Sequence, residues 1–441
     1  MEVQIISRET ISSLSTPTDP HRANSLKLSL LDHLATSNYV TIILFYPSSY
    51  CGVGNQEDHM FKRSDKLKRS LSKNLTHFYP VAGRIRDGTA VDCGDQGVEF
   101  LEAKASIGLA EFLKHPDIDD LDKLLPCVPS VTNEELLSKA LLEIQVTYFD
   151  CGGMALGVCF SHKIADGASM AMFIKSWAEA ANGSSGSVLP SLSFDLPSLF
   201  PATEDQSDGS TPRRRNGRWN NIVARRFIFD GEKIAAIRGA IAAETGNEVV
   251  EHPTRVEAVS GFIWERVITA TRAKGGHERA SIALHAMNLR GRMVPPQPCF
   301  TFGNASRPTI TQCVKFESDT ACHVLVKHLR DAIRRVDGDY VRKLQCGEEG
   351  FMNSIEETMK QFSKEEVLAM NFNSWCRFPF YEADFGWGKP IWVSTTKTPG
   401  KNLVILIDSK FGDGIEAWLN MVEEDMVELE KDEEFLSFVS I

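Results

Sequence analysis

The stretch Met154-Ala-Leu-Gly-Val-Cys-Phe-Ser-His-Lys-Ile-Ala-Asp-Gly167 decides how this chain is read. An apolar run of small residues ends at a histidine. Four residues later an aspartate stands directly before a glycine, and a helix-compatible run of small and apolar residues follows from Ala168 to Ala181. The pattern predicts a buried strand, a short loop and a helix. A strand end fixes the backbone of His162 while the loop gives its ring access, which suits a catalytic base. Imidazole titrates near pH ~6.5, so the neutral, proton-accepting form is available near neutrality. Spacing alone equally allows a hydrogen-bonded core histidine. Asp166 has two readings: it orients His162 as in a triad, or it points away, pairs with an arginine and holds the loop rigid.

Upstream, Leu142–Phe149 reads as a strand joined to Met154–Phe160 by the turn Asp150-Cys-Gly-Gly153. Tyr39–Tyr46 is β-branched and aromatic and is stopped by Pro47. Asp58–Thr76 carries apolar positions at helical spacing and is ended by His77-Phe-Tyr-Pro80. Thr89–Glu102 reads as strand, turn, strand. Downstream, strands are expected over Ala224–Phe229, Ser281–Asn288, Ile391–Ser394 and Leu403–Asp408. Helices are expected over Gly231–Glu244 and Arg255–Ala273, with one acidic amphipathic helix over Glu423–Phe438. This irregular alternation favours mixed α/β layers, an α/β fold with mixed α+β sheets.

Residues 182–221 are rich in Ser, Gly and Pro without a sustained period, and read as a long connection between domains. Arg213, Arg214 and Arg215 within it read as a solvated basic tract. The division is then 1–181, 182–221 and 222–441, with part of 370–400 a candidate to pack with the N-terminal domain.

The 441 residues are 42% hydrophobic and 24% charged, an ordinary globular composition. Lys plus Arg is 48 against 59 for Asp plus Glu, a net charge of −11, which disfavours binding to a nucleic-acid backbone. There is no apolar run of 18 residues, so no membrane span is expected. Met1–Ser13 has no basic segment followed by an apolar one, so no secretory signal is expected. The ten cysteines show no CxxC or zinc-finger spacing, and are expected to be reduced, mostly buried thiols of a cytoplasmic protein that needs no metal.

Two stretches fit His-x-x-x-Asp, His115–Asp119 and His162–Asp166, where roughly half a match is expected by chance. His115 lies in an acidic stretch interrupted by Pro116 and reads as a solvated loop residue. The second distinctive string is Asp384-Phe-Gly-Trp-Gly388, followed by Lys389-Pro390. Its glycines allow tight backbone geometry and its aromatics bring packing area, so it reads as a packing turn or as part of a site. Asp384-Phe-Gly does not make a kinase: the Gly-rich loop, the V-A-I-K lysine and the H-R-D loop are missing. Walker A, Rossmann, HExxH and GxSxG patterns are missing too.

His162-x-x-x-Asp166-Gly167 together with Asp384-Phe-Gly-Trp-Gly388 resembles the plant BAHD acyl-CoA-dependent acyltransferases. Matching stretches in the same order are Leu28-Ser-Leu-Leu-Asp32, Ser70–Arg84, Val91-Asp-Cys93, Phe149–Gly153, Asn288-Leu-Arg290 and Ser374-Trp-Cys-Arg377. The chain looks most like the branch that holds vinorine synthase and deacetylvindoline acetyltransferase. Ser161 departs from many members, which carry a second histidine there. The resemblance implies two chloramphenicol-acetyltransferase-like domains with a channel between them, and His162 as general base in a ternary complex. It implies that Asp166 supports His162 structurally by pairing with an arginine, here Arg290. It also implies that Asp384, Gly386 and Trp387 shape the channel on the coenzyme side, with Gly167 supporting the loop. Acyl-CoA, with acetyl-CoA as the expected donor, is the co-substrate, and a hydroxylated alkaloid, terpenoid or similar alcohol the acceptor. Ser260 and Lys397 are candidates for the coenzyme site. A monomer is expected. The alternatives are N-acylation, a longer or aromatic acyl donor, or a non-catalytic member that binds a ligand or partner.

Overall fold

The computed structural model describes residues 1–14, 23–48, 56–128, 138–183, 192–202, 221–244, 250–275, 280–298, 300–316, 320–348, 350–351, 367–398 and 400–440. They form two compact units. The first comprises Met1–Arg213, Cys299–Ala305 and Phe378–Pro399; the second comprises Arg214–Pro298, Ser306–Arg377 and Gly400–Ile441. The first unit thus takes 299–305 and 378–399, both beyond residue 222.

In the first unit a six-stranded mixed sheet runs in the order Val3–Ile11, Val98–Ala105, Leu142–Phe149, Met154–Ser161, Tyr39–Tyr46, Trp392–Ser394. Val98–Ala105 and Leu142–Phe149 pair in parallel; the other neighbours are antiparallel. All eight residues of Met154–Ser161 are buried, which explains the continuous apolar run Met154–Phe160. Gly157 is needed there because a Cβ would lie 2.1 Å from the Leu124 carbonyl oxygen. The helix Gln56–His77 packs on the helix Gly167–Asn182: Trp177 donates its indole N–H to Ser70 Oγ (3.0 Å), and Ser176 Oγ to Asn74 Oδ1 (2.7 Å). Both sides of this contact are buried, so the hydrogen bonds satisfy groups that water cannot reach.

The expected strand, turn, strand over 89–102 differs in its pairing. Ala90–Asp92 joins a small sheet with Ser25–Lys27 and Arg84–Arg86, while Val98–Ala105 enters the large sheet. Local propensity specified both strands but not their partners. The strand Val3–Ile11 shows no alternation to read, because it is an edge strand exposed along most of its length. Of the 182–221 connection, 184–191 and 203–220, including Arg213–Arg215, lie outside the described residues. The segment 192–202 is packed: it contains the short helix Leu196–Leu199, and Phe200 is fully buried.

The second unit carries a mixed sheet in the order Ser306–Ile310, Ala280–Asn288, Val367–Ser374, Leu403–Asp408, Ile415–Val422, Ile222–Phe229, with Val314–Lys315 paired to Ala280–Asn288. Helices Gly231–Ala243, Arg255–Ala273 and Cys322–Arg335 cover it around a core that includes Phe262, Trp264 and Leu329. Thr254 and Glu257 form a capping box that starts the Arg255–Ala273 helix where the sequence pattern put it. The acidic tail is two helices, Glu423–Leu429 and Glu433–Phe438, rather than one. Asp432 accepts from the Phe435 N–H and restarts the chain as an N-cap.

Of the eight described cysteines only Cys93 and Cys159 are buried; Cys151, Cys313 and Cys346 are exposed and the other three intermediate. The expectation of mostly buried thiols is corrected: cysteine identity carries no solvation pattern of its own. No helix among the described residues is long and apolar enough to cross a membrane.

Candidate active site

Ser161 ends its strand opposite Tyr39, and the His162 N–H donates to the Asn38 carbonyl at 2.9 Å, extending the pairing by one residue. The chain then turns through 162–164 and reaches Asp166, the N-cap of Gly167–Asn182. The predicted strand, loop and helix are therefore present. His162 is half-buried at the strand end. His115 lies on an exposed bend.

Asp166 is 4% exposed, and each carboxylate oxygen takes a backbone N–H: Oδ1 from Ser169 at 2.9 Å, Oδ2 from Ala305 at 3.0 Å. The first is the helix cap. The second ties the helix start to the 299–305 segment. Ser169 adds to this tie, its Oγ donating to the Gly303 carbonyl (2.8 Å) and accepting the Gly303 N–H (3.0 Å). Gly167, first residue of the helix, is half-buried.

That segment brings in a residue that the sequence did not reveal. Asn304, 2% exposed, places Oδ1 at 3.1 Å from Nδ1 of His162. Its Nδ2 donates to the His162 carbonyl (2.7 Å) and to Asp32 Oδ1 (2.8 Å). Both partners of Nδ2 are acceptors, so the amide's NH2 faces them and its oxygen faces the ring. An acceptor at Nδ1 requires a proton there. Neutral His162 is thereby fixed as the Nδ1–H tautomer, with the lone pair on Nε2. The only hint in the sequence is Phe302-Gly-Asn304, after the run Pro295-Pro-Gln-Pro298; a lone asparagine in a loop has no period and no motif.

Asp32 is buried beneath this contact in the short helix Leu30–Leu34. Its Oδ2 accepts from Ser29 N (2.8 Å) and Ser29 Oγ (2.7 Å) in a capping box. Burial pushes its carboxyl above the usual carboxylate value, and the Ser29 and Asn304 hydrogen bonds pull the other way. The far end of the same helix is held by Lys163, whose Nζ donates to the carbonyls of Asp32 (3.2 Å), His33 (3.1 Å) and Ala35 (2.8 Å). Burial pulls that ammonium down to about 8, against the pull of Asp32.

The string at 384–388 is a tight turn within the first unit. Asp384 Oδ1 accepts from both Gly386 N (2.7 Å) and Gly388 N (2.9 Å). Gly386 and Gly388 have φ of +96° and +102°, which only glycine adopts without strain. Phe385 is fully buried edge-on to Trp177 (5.0 Å). Trp387 is half-buried, with the Arg63 guanidinium 5.1 Å and the Lys66 ammonium 5.6 Å from its ring centroid.

Arg290 belongs to the second unit, in the turn Arg290–Arg292, and is buried; its Nη1 donates to Asn288 Oδ1 at 3.3 Å and its carbonyl accepts from Gln297. Ser260 is fully buried on the Arg255–Ala273 helix. Lys397 is exposed, just after Trp392–Ser394. Among the described residues no group of three or more His, Cys, Asp or Glu is arranged to hold a metal ion.

A family model described as "Transferase family" matches residues 1–436. The chain belongs to that family, the BAHD acyltransferases. The acyltransferase is 40% identical over 444 residues to stemmadenine O-acetyltransferase of Catharanthus roseus, covering 99% of this chain and 98% of that one. It is 37% identical to a limonoid 1-O-acetyltransferase of Citrus sinensis, covering 100% and 99%. Among solved structures, vinorine synthase superposes with a TM-score of 0.84 at 35% identity, covering 100% and 99%. The resemblance read from the motifs and the two-domain α/β fold both hold.

Proposed function

We propose that this acyltransferase moves an acetyl group from acetyl-CoA to a hydroxyl of a polycyclic plant specialised metabolite, an alkaloid or terpenoid alcohol. One observation carries the reaction class to a residue: His162, at a strand end, has Nδ1 satisfied by Asn304, which leaves the Nε2 lone pair as the proton acceptor. The acceptor class is supported by relatives named as O-acetyltransferases of stemmadenine and of a limonoid.

In this reading Nε2 takes the proton of the acceptor hydroxyl as its oxygen attacks the thioester carbonyl. The tetrahedral intermediate collapses, the C–S bond breaks, and the coenzyme thiolate takes the proton back from the imidazolium. The products are the ester and free CoA. A positioned base contributes ~10²–10⁴-fold, and holding both substrates together contributes through effective concentration. Asp166 keeps the loop rigid through its two backbone partners. Asp384, Gly386 and Trp387 form a structural turn away from the reacting atoms. Lys397, which is exposed, stands as a contact to the coenzyme, whereas Ser260 is fully buried and offers it no surface; Arg290 and Gly167 stand as structural support. A monomeric, cytosolic enzyme goes with this reading.

The test is mass spectrometry of purified protein with acetyl-CoA and a panel of polycyclic alcohols and amines, beside His162→Ala. An alcohol product one acetyl unit heavier, with wild type only, is expected. Acylated amines, products from longer acyl-CoAs only, or no CoA release with any donor would overturn it.

A further inference from the structure

Asp32 lies one residue removed from the imidazole, and its hydrogen bonds reach it. We propose that Asp32 is a positioning residue for catalysis: through the Asn304 amide it dictates which nitrogen of His162 carries the proton. The inference rests on His162 being the base.

The chain of bonds admits one arrangement. Ser29 N and Ser29 Oγ both donate to Asp32 Oδ2. Asp32 Oδ1 accepts from Asn304 Nδ2 at 2.8 Å and from Asn304 N at 3.4 Å. Asp32 Oδ1 takes the Asn304 backbone N–H as well, so it meets the side-chain amide as an acceptor, and that amide turns its NH2 to Asp32 and its oxygen to the His162 ring. The ring proton follows to Nδ1, and Nε2 stays a base. Without an acceptor at position 32 only the His162 carbonyl, at 2.7 Å, still holds the NH2 in place. If the amide turns, its NH2 faces Nδ1, the proton moves to Nε2, and the nitrogen that must accept the substrate proton already holds one.

Asp32→Asn is nearly isosteric and reverses the polarity of the chain. With its amide oxygen kept on the two Ser29 donors, its NH2 faces the NH2 of Asn304, and only a turn of that amide, which gives up its bond to the His162 carbonyl, relieves the clash. A role confined to packing predicts lost stability with the tautomer unchanged. A relay predicts a changed tautomer, lost kcat, and no further loss once Asn304 is gone.

The experiment measures kcat, KM and melting for wild type, Asp32→Asn, Asn304→Ala and the double variant with any acceptor that wild type turns over. It also takes 15N spectra of the histidines above their titration, with His162→Ala to assign His162. For Asp32→Asn the expected result is a kcat lower by tenfold or more, KM within about twofold, and the proton of His162 shifted toward Nε2. The double variant should be no slower than Asn304→Ala, since both changes cut one chain. Should Asp32→Asn not fold, Asn304→Ala alone decides: a His162 still held wholly as Nδ1–H would overturn the relay. Multiplicative losses in the double variant, or an unchanged tautomer in Asp32→Asn, would overturn it as well. A His162→Ala enzyme with normal turnover would instead overturn the assignment of the base, a separate outcome.

Discussion

Asn304 holds His162 at two points, its oxygen on ring Nδ1 at 3.1 Å and its nitrogen on the backbone carbonyl at 2.7 Å. One buried amide therefore fixes both the ring orientation and the course of the backbone that carries it. The acceptor at ring Nδ1, which one of the two readings of Asp166 would have placed there, comes from a residue 142 positions from His162 in sequence.

His162→Ala should lower turnover ~10²–10⁴-fold while leaving the melting temperature within a few degrees. The side chain is half-buried and, among the described residues, makes one side-chain hydrogen bond, so little packing is lost. His115→Ala, on an exposed bend, should leave both unchanged. A large rate loss at His115 would mean that the first His-x-x-x-Asp is the catalytic one.

Asp166→Ala should destabilise by about 2–4 kcal/mol, the sum of a lost helix cap and an unpaired buried N–H at Ala305. Asp166→Asn keeps the cap but turns an NH2 toward Ala305 N, so it should cost about 1–3 kcal/mol. Denaturant unfolding of both variants checks this. Untouched stability with a displaced pH–rate profile would instead favour the reading in which Asp166 orients the imidazole.

Lys163 gives a pH signature. Its ammonium is pulled down to about 8 from 10.5 by burial. Between those values the unfolded chain binds the proton and the folded chain does not, so stability rises with pH across that window relative to a variant without the group. From pH 7 to pH 9.5, wild type should gain about 2 kcal/mol over Lys163→Met in paired denaturation curves. A gap that narrows or stays constant would show that the ammonium is not desolvated.

Asp384→Ala should lower stability by about 1–3 kcal/mol by releasing the amides of Gly386 and Gly388, whereas Asp384→Asn keeps an acceptor oxygen and should lose less. Gly388→Ala has open space for its methyl group but must hold φ near +102°, a cost of about 1–3 kcal/mol. If all three melt like wild type, the turn does not depend on these bonds.

Gly157→Ala tests the close approach of the strand Met154–Ser161 to the 124–125 backbone. The added methyl would stand 2.1 Å from the Leu124 carbonyl oxygen, a backbone atom that cannot swing aside. A loss of about 3 kcal/mol or an insoluble protein is the expected outcome of overpacking there. Wild-type melting would mean that the 124–125 backbone yields freely.

The sequence by itself determined what local chemistry can specify. Met154–Phe160 is apolar throughout because it is buried on both faces, the small and apolar run after Asp166 forms the expected helix, and the glycines after Asp384 allow tight backbone geometry. The family followed from the order of those motifs. Tertiary structure decided what depends on residues far apart in the chain: that 299–305 and 378–399 join the first unit, that Ala90–Asp92 and Val98–Ala105 go to different sheets, that Asn304 and Asp32 meet at His162, and that Lys163 reaches the carbonyls of Asp32, His33 and Ala35. The physical reason is that a hydrogen bond between loop residues leaves no periodicity in the sequence. Only the folded backbone brings a lone asparagine amide to an imidazole and sets which of its nitrogens is left to act.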